Sequence, residues 1–289
     1  MIKFTNESLY EIINILEEEI INLKVDDILA FQVFDLNLKN WVDLAQILYC
    51  KMLIPIQQDD NSILIQFQKL DISSSFHNQK DIVEQKYGKD STFFTINKNE
   101  QTSFLYYYKQ ALKNVNIDKR IRILNLGVNK ADEFDIVKKY AKNFKNLELV
   151  GIDYCQSAID EAKIRLDDEN ISFICHDINH LEELNLEPFD LIITIGTLQS
   201  KNINFKLLFQ SLVQNYLKKD GAMIMGLPNC RWVDGEMIYG AKVPNYNFSE
   251  LSLMYSDVVF CKKYLQQKKF RVTITGKDYI FLTATSIRK

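Results

Sequence analysis

Two short apolar runs in the middle of the chain each end at a residue suited to binding a nucleoside. The run at 121–126 leads to Gly127, and the run at 147–152 leads to Asp153. A glycine lets the backbone come close to a ligand, and a carboxylate offers two acceptor oxygens and no donor. These residues therefore indicate recognition of a nucleoside by a tight turn and an acid.

The segments around these residues predict how they are positioned. Residues 132–144 have helical spacing, and the apolar positions along one side are Phe134, Val137, Ala141 and Phe144. Two short strands joined by a crossover helix form a parallel pair, and ligands bind at the carboxyl ends of parallel strands. We therefore expect Gly127 and Asp153 to lie at the same edge of a sheet.

The alternation of strands and helices continues along the chain. Strands are predicted at 171–175, 189–195 and 222–227, and helices at 157–166, 205–217 and 257–267. A hairpin is predicted at 270–275 and 279–285, and a helix at 102–115 precedes the first strand. The tyrosines at 106–108 of that helix cannot all face the core, because consecutive helical positions point in different directions. They either pack on the sheet or form part of a lid over a ligand.

The N-terminal part of the chain predicts a separate α+β module over residues 1–75. Its elements are an amphipathic helix at 5–24, a strand at 28–36, a helix at 41–50, and a hairpin at 51–56 and 62–68. A polar, turn-rich stretch follows, so a linker is expected at 76–101. This module is expected to serve substrate recognition or dimerisation, which makes a homodimer one expected state.

Composition narrows the class of protein. The chain has 289 residues and a net charge of −3, and it contains no apolar run of roughly 18 residues, so no membrane span is expected. Five cysteines without a CxxC pair and three scattered histidines give no zinc signature and suit a reducing cytoplasm. Residues 257–289 carry eight bases against two acids, which predicts either a solvated face or a phosphate-facing patch.

Five strand–helix units followed by a helix and an antiparallel hairpin resemble the class I S-adenosylmethionine-dependent methyltransferases. The resemblance covers residues 102–289. It implies an α/β, Rossmann-like fold, namely a doubly wound, seven-stranded, mostly parallel sheet with a C-terminal antiparallel hairpin. It also implies S-adenosyl-L-methionine as the cofactor; since the cysteines and histidines give no zinc signature, no metal ion is expected.

The resemblance assigns cofactor roles to particular residues. The family's acid-x-Gly-x-Gly-x-Gly turn corresponds to residues 125–131, where only Gly127 is a glycine and Asn129 is suited to a left-handed conformation. Asn125 replaces the acid that binds the cofactor's ammonium, so Asp132 or Glu133 is expected to supply that charge from the start of the helix.

Further cofactor contacts are implied at the ends of the next three strands. Asp153 would bind the ribose hydroxyls, or alternatively cap the following helix. Asp177 would accept the adenine amino group, or alternatively serve only as a turn residue. The other implied contacts are Tyr154 and Ile178 beside the adenosine, and Ile195 and Gly196 near the methionine end.

One long loop is predicted at 228–256, and it is expected to form the substrate pocket, or alternatively a lid without substrate contact. Arg231 is the preferred anchor for a carboxylate or phosphate, because its planar fork binds both. The other substrate-binding candidates are Trp232, Tyr239, Lys242 and Tyr246. The candidates for removing a proton are Asp234, Glu236 and Tyr239.

The sequence predicts a cytoplasmic methyltransferase that acts on oxygen or nitrogen of a small molecule. Residues 196–199 lack the Asn/Asp-Pro-Pro-Tyr/Phe motif of the family members that methylate adenine nitrogen or glutamine amide. The first alternative is an RNA methyltransferase that grips phosphates with residues 1–75 and the basic C-terminal face. The second is a catalytically silent module that binds a nucleoside or a partner protein.

Overall fold

The computed structural model describes residues 2–34, 37–71, 97–200, 202–229, 231–233, 236–238, 251–277 and 279–288. The chain divides into two compact units, one formed by residues 1–79 and 230–239 and the other by residues 80–229 and 240–289. Most of the predicted linker, residues 76–96, lies outside the described ranges.

Within those ranges the strands are, in chain order, β1 (Ile2–Lys3), β2 (Ile28–Val33), β3 (Cys50–Met52), β4 (Ile56–Gln57), β5 (Ile63–Lys69), β6 (Arg122–Leu126), β7 (Glu148–Asp153), β8 (Ile171–Cys175), β9 (Phe189–Ile195), β10 (Leu217–Pro228), β11 (Arg231–Val233), β12 (Glu236–Ile238), β13 (Phe270–Gly276) and β14 (Tyr279–Ser286). The α-helices are α1 (Leu9–Ile21), α2 (Leu38–Ile47), α3 (Thr102–Asn114), α4 (Asp132–Tyr140), α5 (Gln156–Arg165), α6 (Phe205–Ser211) and α7 (Leu251–Gln267).

The first unit is built on a small sheet with the order β1-β2-β5-β3, in which β4 also pairs with β5. Its core centres on Phe31, whose ring lies edge-on to the rings of Trp41 and Phe67. Strands β11 and β12 form an antiparallel hairpin that belongs to this unit and lies beside β3.

The second unit contains a seven-stranded sheet with the order β13-β14-β10-β9-β6-β7-β8. The five strands from β10 to β8 in this order are mutually parallel, whereas β14 is antiparallel to both β10 and β13. Helices α3, α4 and α5 pack on one face, and α6 and α7 pack on the other. The predicted fold, a doubly wound sheet with a C-terminal antiparallel hairpin, is confirmed.

Burial on both faces explains why the strands are continuous apolar runs. In β6, Ile123 contributes to the core on one face and Leu124 to the core on the other. Of the three tyrosines in α3, Tyr108 is fully buried against the sheet, whereas Tyr106 is 58% exposed.

Several predicted boundaries were wrong. Helix α4 ends at Tyr140 rather than 144, because Ala141 adopts an extended conformation. Strand β10 begins at Leu217, five residues before the predicted 222, because a π-helical turn at Leu212–Tyr216 ends the preceding helix early. The segment 228–256, predicted as one loop, contains β11 and β12 and includes the start of α7 at Leu251.

Candidate functional site

The turn after β6 has an unusual backbone. Gly127, Asn129 and Ala131 all have positive φ angles, of 70°, 46° and 66°. The N–H groups of Gly127 and Val128 both donate to the carbonyl oxygen of Ile152, at 2.8 and 3.1 Å. The turn is therefore held against the end of β7, with its strained residues in a fixed position.

A side chain from the loop after β9 closes the other side of this turn. The hydroxyl of Thr197 donates to the carbonyl oxygen of Leu126 at 3.0 Å. A Cβ added to Gly127 would lie only 2.0 Å from Thr197 Oγ1. This position requires a glycine for two reasons. Its φ angle is positive, and the nearby threonine leaves no room for a Cβ.

Asp153 lies between two loops. Its Oδ2 accepts from the N–H of Asn129 at 2.8 Å, and its Oδ1 accepts from the N–H of Cys155 at 3.0 Å. Burial raises the pKa of this carboxyl above its ordinary value, and the backbone N–H groups oppose that rise. A capping side chain would instead bond to the second or third residue of the helix, which begins at Gln156. Asp153 thus orients the turn after β6 rather than capping α5.

The end of β8 lies directly beside Asp153, whose carbonyl oxygen accepts from the N–H of His176 at 2.9 Å. Asp177 follows and heads a 3₁₀ segment, with Oδ1 accepting from the backbone and the side chain of Asn179, both at 2.9 Å. Within the described ranges its Oδ2 accepts no hydrogen bond. The turn role considered for Asp177 therefore uses one oxygen and leaves the other for a further donor.

The remaining predicted cofactor contacts differ in exposure. Ile178 is buried in the core, Tyr154 is 58% exposed, and Ile195 is 4% exposed. Gly196 has a φ of 74° and donates its N–H to the carbonyl oxygen of Gly226. The backbone therefore brings the ends of β6, β7, β8 and β9 together at one edge of the sheet.

A buried charged cluster lies at the start of α4. Glu133 is 1% exposed, and its Oε1 is 2.6 Å from Nζ of Lys98, a residue that the sequence analysis did not single out. Asn125 is also 1% exposed, and its Nδ2 lies 3.5 Å from Glu133 Oε2. Asp132 instead pairs with Arg165 at 2.9 Å. Of the two acids that could replace the missing one at Asn125, Glu133 is the one beside it.

The predicted substrate residues are not placed by this structure. Asp234, Tyr239, Lys242 and Tyr246 lie outside the described residues. Only the backbone is described for Arg231 and Trp232 in β11 and for Glu236 in β12. Their assignment to a substrate pocket stays a prediction.

Among the described residues, no group of three or more His, Cys, Asp or Glu side chains is placed to hold a metal ion. No helix in the same ranges combines the length and the apolar character needed to cross a bilayer.

Comparison with known proteins gives a family for the chain. A family model described as a methyltransferase domain matches residues 117–276, which is more than half of the 289 residues. A search of curated proteins found no significant match.

Solved structures with a similar fold include the N-methyltransferase NodS from Bradyrhizobium japonicum WM9 in complex with S-adenosyl-l-homocysteine. It is 15% identical, with 68% of this chain and 95% of that chain covered and a TM-score of 0.47. The plantazolicin methyltransferase BpumL in complex with the same ligand is 13% identical, with coverages of 71% and 93% and a TM-score of 0.49. An S-adenosylmethionine-dependent methyltransferase from Aquifex aeolicus is 15% identical, with coverages of 62% and 89% and a TM-score of 0.44. These similarities concern the fold alone.

Proposed function

Since the chain belongs to the methyltransferase-domain family, and so to the class I S-adenosylmethionine-dependent methyltransferases, we propose that it methylates oxygen or nitrogen of a small molecule. The observation that supports the cofactor-binding part of this proposal is the position of Asp153. Its carboxylate lies at the end of β7, oriented by N–H groups of Asn129 and Cys155. A carboxylate held in this way is suited to accept hydrogen bonds from two ribose hydroxyls.

The other strand ends supply the remaining parts of an adenosine site. The unused Oδ2 of Asp177 suits the adenine amino group, and the buried Ile178 beside it provides an apolar contact for the ring. Tyr154, whose ring is exposed, can close over the adenosine. S-adenosylmethionine supplies an activated methyl group, and the protein's residues bind it, align it with the acceptor and exclude water.

The acceptor is proposed to be a small molecule because the chain is nearly neutral, at −3, and because the segment 228–256 is rich in polar and aromatic residues. Arg231 would bind an acidic group of this molecule, and Asp234, Glu236 or Tyr239 would remove a proton. An RNA acceptor is the second candidate, favoured by the eight bases against two acids in residues 257–289.

We infer that residues 1–75 form a module for substrate recognition or dimerisation in a cytoplasmic protein. Supporting this, the first unit has its own core around Phe31 and also exposes large apolar side chains. Among these, Tyr10, Ile21 and Ile54 are 74%, 77% and 86% exposed. Sedimentation velocity over a range of concentrations distinguishes the two roles, because dimerisation gives a concentration-dependent mass.

Calorimetry with S-adenosylhomocysteine tests the cofactor site. We expect the wild type to bind and Asp153→Asn to bind at least about tenfold more weakly, because a hydrogen bond to a charged acceptor contributes about 1.5–3 kcal/mol. Asp160→Asn is the matched control, since Asp160 is an exposed acid on the next helix. Wild-type protein that does not bind, or Asp153→Asn that binds like the control, would contradict the assignment.

Labelled S-adenosylmethionine then distinguishes the acceptors. Incorporation of label into the low-molecular-weight fraction of a cell extract supports the small-molecule proposal. Incorporation into RNA, with affinity that falls steeply as salt rises, supports the second candidate. A protein that binds the cofactor and labels no fraction would be the silent module.

A further inference from the structure

We infer that Lys98 and Glu133 together bind the two charged groups of the cofactor's amino-acid end, Lys98 its carboxylate and Glu133 its ammonium. This inference rests on the proposed function, and it adds a residue from outside the part of the chain that the family model matches. Lys98 lies in a short 3₁₀ turn, Lys98–Glu100, before α3, and the family match begins at residue 117.

Lys98 and Glu133 form a close, buried ion pair. Nζ of Lys98 is 2.6 Å from Oε1 of Glu133, and the two side chains are 12% and 1% exposed. The Lys98 ammonium also lies over the ring of Phe104, 5.8 Å from its centroid. Such a pair loses most of its hydration, so its burial at this position calls for an explanation.

The pair lies at the proposed cofactor site rather than elsewhere in the core. Glu133 reaches back towards Asn125 at the end of β6, the position at which the family has its acid. Burial alone would lower the pKa of Lys98, but the carboxylate of Glu133 raises it above its ordinary value. The charge of Lys98, together with the backbone N–H groups, opposes the rise in the pKa of Asp153 that burial causes, so the lysine is within electrostatic reach of that acid.

Both partners keep hydrogen-bonding capacity. An ammonium has three N–H donors, and among the described residues Lys98 uses one of them, towards Glu133. The second oxygen of Glu133 has only the long 3.5 Å contact with Asn125. Asn125 Oδ1 is buried and has no hydrogen-bond partner in the described part of the chain. An incoming ammonium could therefore bond to Glu133 Oε2 and Asn125 Oδ1 while the ion pair stays in place.

Charge balance favours a zwitterion over other ligands at this position. The pair has no net charge, and an α-amino acid group, with one ammonium and one carboxylate, also has none. A carboxylate brought beside Glu133 without Lys98 would be repelled, and an ammonium beside Lys98 without Glu133 would be repelled as well. Opposite charges at fixed positions thus select a ligand that carries both.

The test compares S-adenosylhomocysteine with 5′-methylthioadenosine, which has the same nucleoside and lacks the amino-acid group. We expect the wild type to bind the first at least about tenfold more tightly, because charge-assisted hydrogen bonds are lost with the second. In Lys98→Met this preference should fall to about threefold or less, while the affinity for methylthioadenosine changes by less than about threefold. Lys98→Arg keeps the charge and should restore most of the preference.

Two further variants separate recognition from folding. Lys139→Met removes an exposed lysine from α4 and should keep the wild-type preference. If Lys98→Met does not fold because Glu133 is left unpaired, the double variant Lys98→Met/Glu133→Gln removes both charges and should bind methylthioadenosine without preferring S-adenosylhomocysteine.

The outcomes distinguish this inference from the function on which it rests. Wild-type protein that binds neither ligand contradicts the proposed function. Wild-type protein that binds both equally, or a Lys98→Met or double variant that keeps the full preference, leaves the function standing and overturns the role of the ion pair.

Discussion

Gly127→Ala would show how tightly the turn after β6 is held. At this position φ is +70°, and a left-handed conformation costs a non-glycine residue about 1–2 kcal/mol. The new Cβ would also lie 2.0 Å from Thr197 Oγ1, so the threonine must rotate and give up its hydrogen bond to Leu126. That bond is worth about 0.5–1.5 kcal/mol, so the total cost is about 1.5–3.5 kcal/mol.

Gly196→Ala is the matched control for this substitution. Its φ of +74° carries the same backbone cost, but the nearest atoms to its Cβ would be Pro228 Cγ at 3.6 Å and Tyr279 Cε1 at 3.9 Å, which are ordinary contacts. Urea unfolding of both variants, followed by far-ultraviolet circular dichroism, should give the lower midpoint for Gly127→Ala.

A double-mutant cycle isolates the part of the cost that is due to Thr197. In a Thr197→Ala background the Oγ1 and Cγ2 atoms are gone, but the Cβ at 2.8 Å remains, so Gly127→Ala should cost less than it does in the wild type and still more than Gly196→Ala. The steric reasoning is refuted if Gly127→Ala costs no more than Gly196→Ala in the wild type. It is equally refuted if Thr197→Ala brings no relief.

Further expectations concern the core, the pH dependence and the cysteines. Phe31→Ala should lower the free energy of unfolding by about 3–5 kcal/mol, whereas Tyr10→Ala, at a 74% exposed position, should change it by about 0.5 kcal/mol or less; urea unfolding compares the two. Because ribose hydroxyls donate to the ionised form of Asp153, affinity for S-adenosylhomocysteine should be full above the pKa of that carboxyl and fall as the pH drops through it. Since burial places this pKa above the ordinary 3.8, calorimetry at decreasing pH should show the loss early, and Asp153→Asn should flatten the curve. Burial raises the pKa of the Cys50 thiol to about 11, so alkylation at pH 8 followed by mass spectrometry should modify the exposed Cys175 and leave Cys50 unmodified.

The sequence predicts the sheet of the second unit well because its signals are local. The strands Ile171–Cys175 and Phe189–Ile195 have the predicted bounds, since each is an apolar run closed by polar or glycine residues. The start of α1 could also have been found locally. Ser8 and Glu11 form a capping box, with Ser8 N–H donating to Glu11 Oε2 at 2.7 Å, and this fixes the first helical residue at Leu9 rather than 5.

Boundaries that depend on tertiary contacts were missed. Lys219-Asp220-Gly221 has the composition of a turn, yet it lies within β10, at an irregularity in its pairing with β9. Lys98 lies in a segment predicted to be a linker, and its partner Glu133 is 35 residues away. Neither residue carries a local signal for the pair, because only the packing of the turn before α3 against α4 brings them together.

Strand β14 is the last strand in the chain, yet in the sheet it lies between β10 and β13. The edge of β10 that it covers runs through Met223, Ile224 and Met225, all fully buried in the finished fold. During synthesis, 50 residues lie between the end of β10 at 228 and the start of β14 at 279. Because the ribosome synthesises roughly 5–20 residues per second, the edge of β10 stays unpaired for roughly 3–10 seconds before β14 is made. An uncovered apolar edge is a template for pairing with another chain, so the order in which the strands are made sets the interval of greatest risk of aggregation.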